Sequence, residues 1–204
     1  MKLYYSPGAC SLSAHIILRE GGFSFDTEKV DFATKKTATG TDYLSVNPNG
    51  YVPSLVLNDG YILTEVPAII QYLADRVPEK NLAPAAGTIE RYQLMQWLNF
   101  ISTELHKGFS PLFNAQAPAQ WKKIVAAQLG RRLNMASHQL ESNYWLMGPE
   151  FTVADAYLFT VLNWGKHVGI EIDRWPVLKA YQGRVFERPA VRATMDAEGL
   201  LRPS

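Results

Sequence analysis

Between residues 77 and 88 the chain changes character, and that change limits the folds open to it. The segment "VPEKNLAPAAGT" is rich in Pro, Ala and Gly and reads as a linker at a domain boundary. Upstream of it, short strand-like runs alternate with two helices. "KLYY" ends at the Ser6-Pro7-Gly8 turn, and "SLSAHIILRE" carries Leu12, His15, Ile16 and Arg19 at helical spacing. Ser11 is the expected N-cap of that helix and Gly21-Gly22 its stop. "FDTEKVDF" alternates around Val30 as a second strand, "SLVL" reads as a third, and Asn58-Asp59-Gly60 turns it tightly into "YIL". From Glu65, "EVPAIIQYLADRV" is an apolar-faced helix. The order β-α-β then β-β-α describes a small α/β unit over residues 1–80.

Downstream, residues 88–204 read as helical throughout. "IERYQLMQWLNFISTELH" and "WKKIVAAQLGRRLNMASHQLES" are long and amphipathic. "FTVADAYLFTVLNWGKHV" is apolar nearly all round, which predicts a buried central helix. Its start offers Thr152 as N-cap and Asp155 at N3, with Phe151 and Ala156 at the positions of a hydrophobic staple. Shorter helices are expected around "WPVLKAYQGRV" and "PAVRATMDAEG".

With 204 residues, 47% of them hydrophobic, the chain can bury a core of one large or two small domains. A net charge of +1, with basic pairs scattered along the chain, gives no electrostatic footprint for nucleic acid. No run has the apolar length of a membrane span, and "MKLYYSPGAC" lacks the apolar core of a secretory leader. A single cysteine forms no internal disulfide, which suits a reducing compartment, so a cytoplasmic location is expected. The four histidines show no metal-ligand spacing, and neither a P-loop nor a dinucleotide glycine fingerprint occurs. No metal or nucleotide cofactor is expected.

The single cysteine, Cys10, stands straight after Pro7-Gly8 and at the start of a helix. Unpaired backbone N–H groups and the positive end of the helix dipole favour a thiolate there. Free cysteines are also among the most buried residues, so a structural thiol is the competing reading. Ser13 occupies the place where a redox pair would need its second cysteine, which excludes two-thiol chemistry within one chain. A mixed disulfide with an external thiol stays open.

Taken in order, "YYSPGACSLSAHI", "VNPNGYVPSLVL", "LTEVPAIIQYLAD", "WLNFISTELHKGFSPLF" and "FTVADAYLF" resemble the cytosolic glutathione transferases, most closely the bacterial beta class. The resemblance spans essentially the whole chain. It implies a thioredoxin-like N-terminal domain, an all-α C-terminal domain, a homodimer, and glutathione as co-substrate. It also implies a cis bond at Val52-Pro53, with the Val52 backbone presented to the cysteinyl unit of glutathione. The γ-glutamyl end is expected at Glu65 and Val66, where a helix start receives a carboxylate. Val66 replaces the family's usual small residue or Ser, so a hydroxyl contact is lost while a backbone one is kept. Lys35 is expected to pair with the glycyl carboxylate, and Cys10, Ser11 and His106 to act on the sulfur. Lys107, Asn99, Thr103 and Glu104 are expected to border the glutathione site.

Asn99, Thr103 and His106 are spaced by four and three, so one regular helix face would carry all three; Glu104 would need an unwound turn or a dimer partner. Phe109, Phe113 and Trp164 are candidates for the wall of an electrophile pocket, and Tyr5 is assigned to packing. The resulting expectation is conjugation of the glutathione thiolate to small hydrophobic electrophiles, with accessory thiol-disulfide exchange at Cys10. Two other readings share the sequence features: a glutathione-dependent dehalogenase of chlorinated aromatic metabolites, and a non-catalytic binder of hydrophobic ligands.

Overall fold

The computed structural model describes residues 1–201. Strands β1 (Lys2–Tyr5), β2 (Asp26–Asp31), β3 (Lys36–Thr37), β4 (Ser54–Val56) and β5 (Ile62–Thr64) form one sheet in the order β3-β2-β1-β4-β5. Central β1 runs parallel to β2 across helix α1 (Ser11–Glu20), the crossover that parallel strands require. β4 lies antiparallel to β1, with Leu3 opposite Leu55, and β5 returns beside β4 through the expected turn. Helix α2 (Val66–Asp75) closes this α/β half. Edge strand β3 has two residues, too few to leave a periodic signal in the sequence.

The second half is helical: α3 (Ile89–Phe100), a π-helical turn (Ile101–His106), α4 (Lys107–Phe113), α5 (Ala119–Glu141), α6 (Val153–Leu162), α7 (Gly165–Val168), α8 (Pro176–Phe186) and α9 (Pro189–Ala197). The stretch 89–106 is thus not one regular helix. The apolar stretch after Phe151 also breaks, ending α6 at Leu162. At Gly165 the chain passes so close to the Ile170 carbonyl that a Cβ would collide with it, so glycine is required for α7 to turn away.

Both halves share one hydrophobic core. Every residue of α1 from Ser11 to Leu18 is buried, because the helix packs against the sheet and α2 as well as α6 and α9. Every residue of α6 is buried too, as its largely apolar character leads one to expect, with Asp155 and Thr160 buried among them. Charged clasps cross the junction. Arg91 of α3 forks onto the Asp75 carboxylate of α2, and Arg188 binds Glu20 of α1 at 2.6 and 2.9 Å. No helix among the described residues is long and apolar enough to cross a membrane.

The start of α6 forms the expected capping box, with Asp155 accepting from the Thr152 N–H at 2.8 Å. The same fully buried carboxylate also accepts from the Leu146 N–H and the Tyr181 hydroxyl, so it ties a loop and α8 to the central helix. Asp155→Ala strands these donors away from water. A loss of about 3 kcal/mol of unfolding free energy is expected, read by urea denaturation at fixed protein concentration.

Candidate functional site

A cleft of about 930 Å³ lies along the junction of the two halves. The α/β half contributes the turn before α1, the loop before β4 and the start of α2; the helical half contributes the π-helical turn, α4, α6 and the Trp164 corner.

Cys10 immediately precedes α1 and lines the cleft, half-buried. The N-cap is therefore Cys10, and the helix begins at Ser11, the residue expected to cap it. Ser11 does not act as that cap: its hydroxyl is buried and donates to the Ser6 carbonyl at 3.2 Å. The Cys10 Sγ donates to the Val52 carbonyl at 3.1 Å. Burial pushes this thiol up to about 12, against the lowering effects of the Cys10 and Ser11 N–H groups and the Lys107 ammonium, with Glu65 adding to the rise. The helix-start electrostatics act in the expected direction but lose to desolvation. At neutral pH Cys10 is a thiol.

The Val52-Pro53 bond is cis, and both residues are buried at the cleft floor. Glu65, exposed on the cleft rim, caps α2 with φ +69°, a left-handed conformation that costs a non-glycine residue about 1 kcal/mol or more. Val66 follows as the first helical residue and also lines the cleft. Lys35 lines it from the opposite loop, its Nζ steadied by the Gly50 carbonyl at 3.0 Å.

On the helical side, the His106 ring packs edge-on against Trp164, with centroids 4.9 Å apart, and its Nδ1 meets the Tyr157 hydroxyl at 2.7 Å. Burial, with Lys107 adding to it, pushes the imidazole down to about 4, so it is neutral near pH 7. Lys107 is exposed and reaches across the cleft, its Nζ 5.9 Å from the Tyr51 ring.

The structure does not gather every expected residue. Asn99 and Thr103 are exposed outside the cleft, the Thr103 hydroxyl donating to the Asn99 carbonyl at 3.0 Å. Glu104 is occupied by Arg132 at 2.6 Å. The π-helical turn is the reason: it turns through a smaller angle per residue than an α-helix, so a spacing of four and three no longer shares a face. Ser102, His106, Lys107, Ser110 and Phe113 face the cleft instead. Phe113 and Trp164 wall it, whereas Phe109 is fully buried behind Trp164, its ring 5.8 Å away. Tyr5 packs on His15, outside the cleft lining.

Other contributors escape sequence reasoning. The Trp164 indole N–H donates to the Gly8 carbonyl at 2.8 Å, and the Glu198 carboxylate accepts the Gly8 N–H at 2.9 Å while pairing with buried His15 at 2.8 Å. Glu198 gave no signal at all. Tyr157 gave one: a tyrosine buried in a nearly all-apolar helix must find a partner for its hydroxyl.

Comparison with known proteins agrees across the chain. The model of the glutathione S-transferase N-terminal domain matches residues 8–76, and that of the C-terminal domain matches 100–189. Glutathione S-transferase GstA of Escherichia coli O157:H7 is 48% identical over 200 residues, covering 98% of this chain and 100% of that one. The solved ternary complex of BphK, a bacterial GST, is 59% identical with a TM-score of 0.96, covering 98% of this chain and 100% of its own. A sphingomonad glutathione S-transferase solved with glutathione is 46% identical with a TM-score of 0.95, at the same coverage.

The raised Cys10 pKa has a direct consequence for alkylation. In ligand-free protein, reaction with iodoacetamide should be slow at neutral pH and still climbing at about pH 10, where an ordinary cysteine has levelled off. Lys107→Met should move the curve further up. A plateau below about pH 8 would contradict the assignment.

Proposed function

We propose that this chain, which belongs to the glutathione S-transferase family and matches its bacterial beta class in fold, conjugates the sulfur of glutathione to small, largely apolar electrophiles. The observation that supports this most is the gathering of Cys10, Lys35, Val52, Glu65, Val66, His106 and Lys107 around one cleft, although they come from distant parts of the sequence. The two charged ends and the peptide middle of glutathione each have a complement there. In this reading Lys35 takes the glycyl carboxylate, the Val52 backbone pairs with the cysteinyl unit, and Glu65 with the start of α2 takes the γ-glutamyl end.

The sulfur then faces Cys10, His106 and Lys107. The glutathione thiol gives up its proton to water, the thiolate is held by neutral donors and by the Lys107 charge, and it attacks a carbon held between Phe113 and Trp164. The thioether forms as the carbon's leaving group, such as halide, departs with its bonding pair. Accessory exchange belongs to the same reading. Cys10 gives up its proton, and its thiolate attacks one sulfur of oxidised glutathione to form a protein–glutathione disulfide. The departing glutathione thiolate takes a proton up again, and the raised thiol keeps the step slow. Asn99 and Thr103 lie outside this chain's cleft, so a role for them, as for Glu104, needs a second copy. Exposed Ile89, Tyr92 and Met95 on α3 offer an apolar face for such a homodimer.

The test is conjugation of 1-chloro-2,4-dinitrobenzene with product analysis. A thioether supports the reading; a reduced carbon with oxidised glutathione would replace it with reductive dehalogenation, and no glutathione binding by calorimetry would leave a ligand carrier. Lys35→Ala should raise the KM for glutathione about tenfold with kcat nearly unchanged, because it removes a contact shared by ground and transition states.

A further inference from the structure

We propose that Tyr157 is a positioning residue for the sulfur chemistry: its hydroxyl donates to His106 Nδ1, which fixes the ring proton on Nε2 and aims that N–H at the glutathione sulfur. The assignment rests on the functional reading above for the identity of the sulfur, and on geometry for the rest. Tyr157 is 1% exposed on the central helix α6, yet its hydroxyl reaches the cleft and lies 2.7 Å from Nδ1. The other ring nitrogen has no hydrogen-bond partner among the described residues and is not among the sealed, unpaired buried atoms. Nε2 is therefore the nitrogen left for a ligand.

Donor and acceptor strengths decide where the protons sit. A phenol is a better donor than an imidazole N–H, and an imidazole lone pair is a better acceptor than a phenol oxygen. Burial supports this pairing, because it keeps the imidazole neutral and pushes the phenol well above its ordinary range. Ser102 lines the same cleft from the π-helical turn, and the one hydrogen bond of the Tyr157 hydroxyl among the described residues is the one to His106. The chain of donors then runs from Tyr157 to His106 to the sulfur. His106 in this arrangement is a donor that steadies a thiolate; it is not the base that removes the proton. The ring is also fixed sideways, edge-on to Trp164. The titratable groups around it are Lys107 beside it, Tyr157 from α6, Cys10 and Glu65 across the cleft, and His167 on α7.

Tyr157→Phe keeps the buried ring and removes only the hydroxyl. Bound glutathione thiolate, read by ultraviolet absorbance against pH, should then titrate about one unit higher, a tenfold loss of thiolate below the midpoint. The kcat at neutral pH should fall about tenfold while the KM for glutathione stays within about twofold. In a His106→Asn background the same change should add almost nothing, since its effect passes through the ring. A folded Tyr157→Phe enzyme with an unmoved thiolate midpoint, or with only KM altered, would overturn the proposal. Nitrogen-15 shifts of the His106 ring in the unmodified protein give a second reading that requires neither substrate nor a stable variant. A proton on Nε2 is expected, and a proton on Nδ1 would overturn the assignment. Failure of the unmodified protein to bind glutathione would instead sink the proposed function, and the ring-nitrogen measurement would still decide where the proton sits.

Discussion

Both sides of one peptide residue, Gly8, are held from the opposite half of the molecule. Trp164 takes its carbonyl and Glu198 its N–H, at 2.8 and 2.9 Å. Gly8 has φ +70°, a conformation that favours glycine, and two residues later comes the cysteine that opens onto the cleft. The position of Cys10 is therefore set by the docking of the helical half as much as by its own sheet. Glu198 is itself buried and bound to His15 of α1, so the clasp loops back to the helix that Cys10 introduces. Unpairing either member would leave a polar group in a dry junction, which is why such a clasp resists gradual loosening.

The cleft follows from that docking. α1 is buried on both sides and pins the two halves together, while the loops at the end of the sheet and the start of α2 remain at the rim. At that rim the backbone takes conformations that the core would not need. Lys35 and Glu65 are both non-glycine residues at positive φ, and both line the cleft. Strain of this kind persists where surrounding structure over-determines it, and here it brings a cation and a carboxylate to facing loops.

Much of this was legible in the sequence, and the failures have physical causes. The change from mixed to all-helical structure and the capping box before the central helix were both visible as composition or spacing. The inward-facing set on residues 99–113 was not. Periodicity assumes 3.6 residues per turn, and the π-helical turn breaks that assumption where His106 must enter the cleft. Phe109 and Phe113 looked alike on paper, but only the packing of Trp164 decides that one is core and the other wall. Glu198 lies about 190 positions from the turn it holds, and no local pattern carries that distance.

The titration behaviour of the cleft has a common cause. Burial is the leading influence on Cys10, His106 and Tyr157, and in each it favours the neutral form: the thiol and the phenol are pushed up, the imidazole down. This makes sense if the negative charge the cleft is shaped to hold arrives with the substrate. A second thiolate at Cys10 would repel the first: two unit charges about 4 Å apart cost roughly 4 kcal/mol at an effective dielectric near 20. That penalty exceeds what the helix-start N–H groups supply, each typically well under 2 kcal/mol. A protonated Cys10 avoids it and still offers an S–H donor, now spent on the Val52 carbonyl, that an incoming thiolate can compete for. Under the proposed function, the helix start serves to lower the charge cost of the glutathione sulfur while Cys10 itself stays protonated.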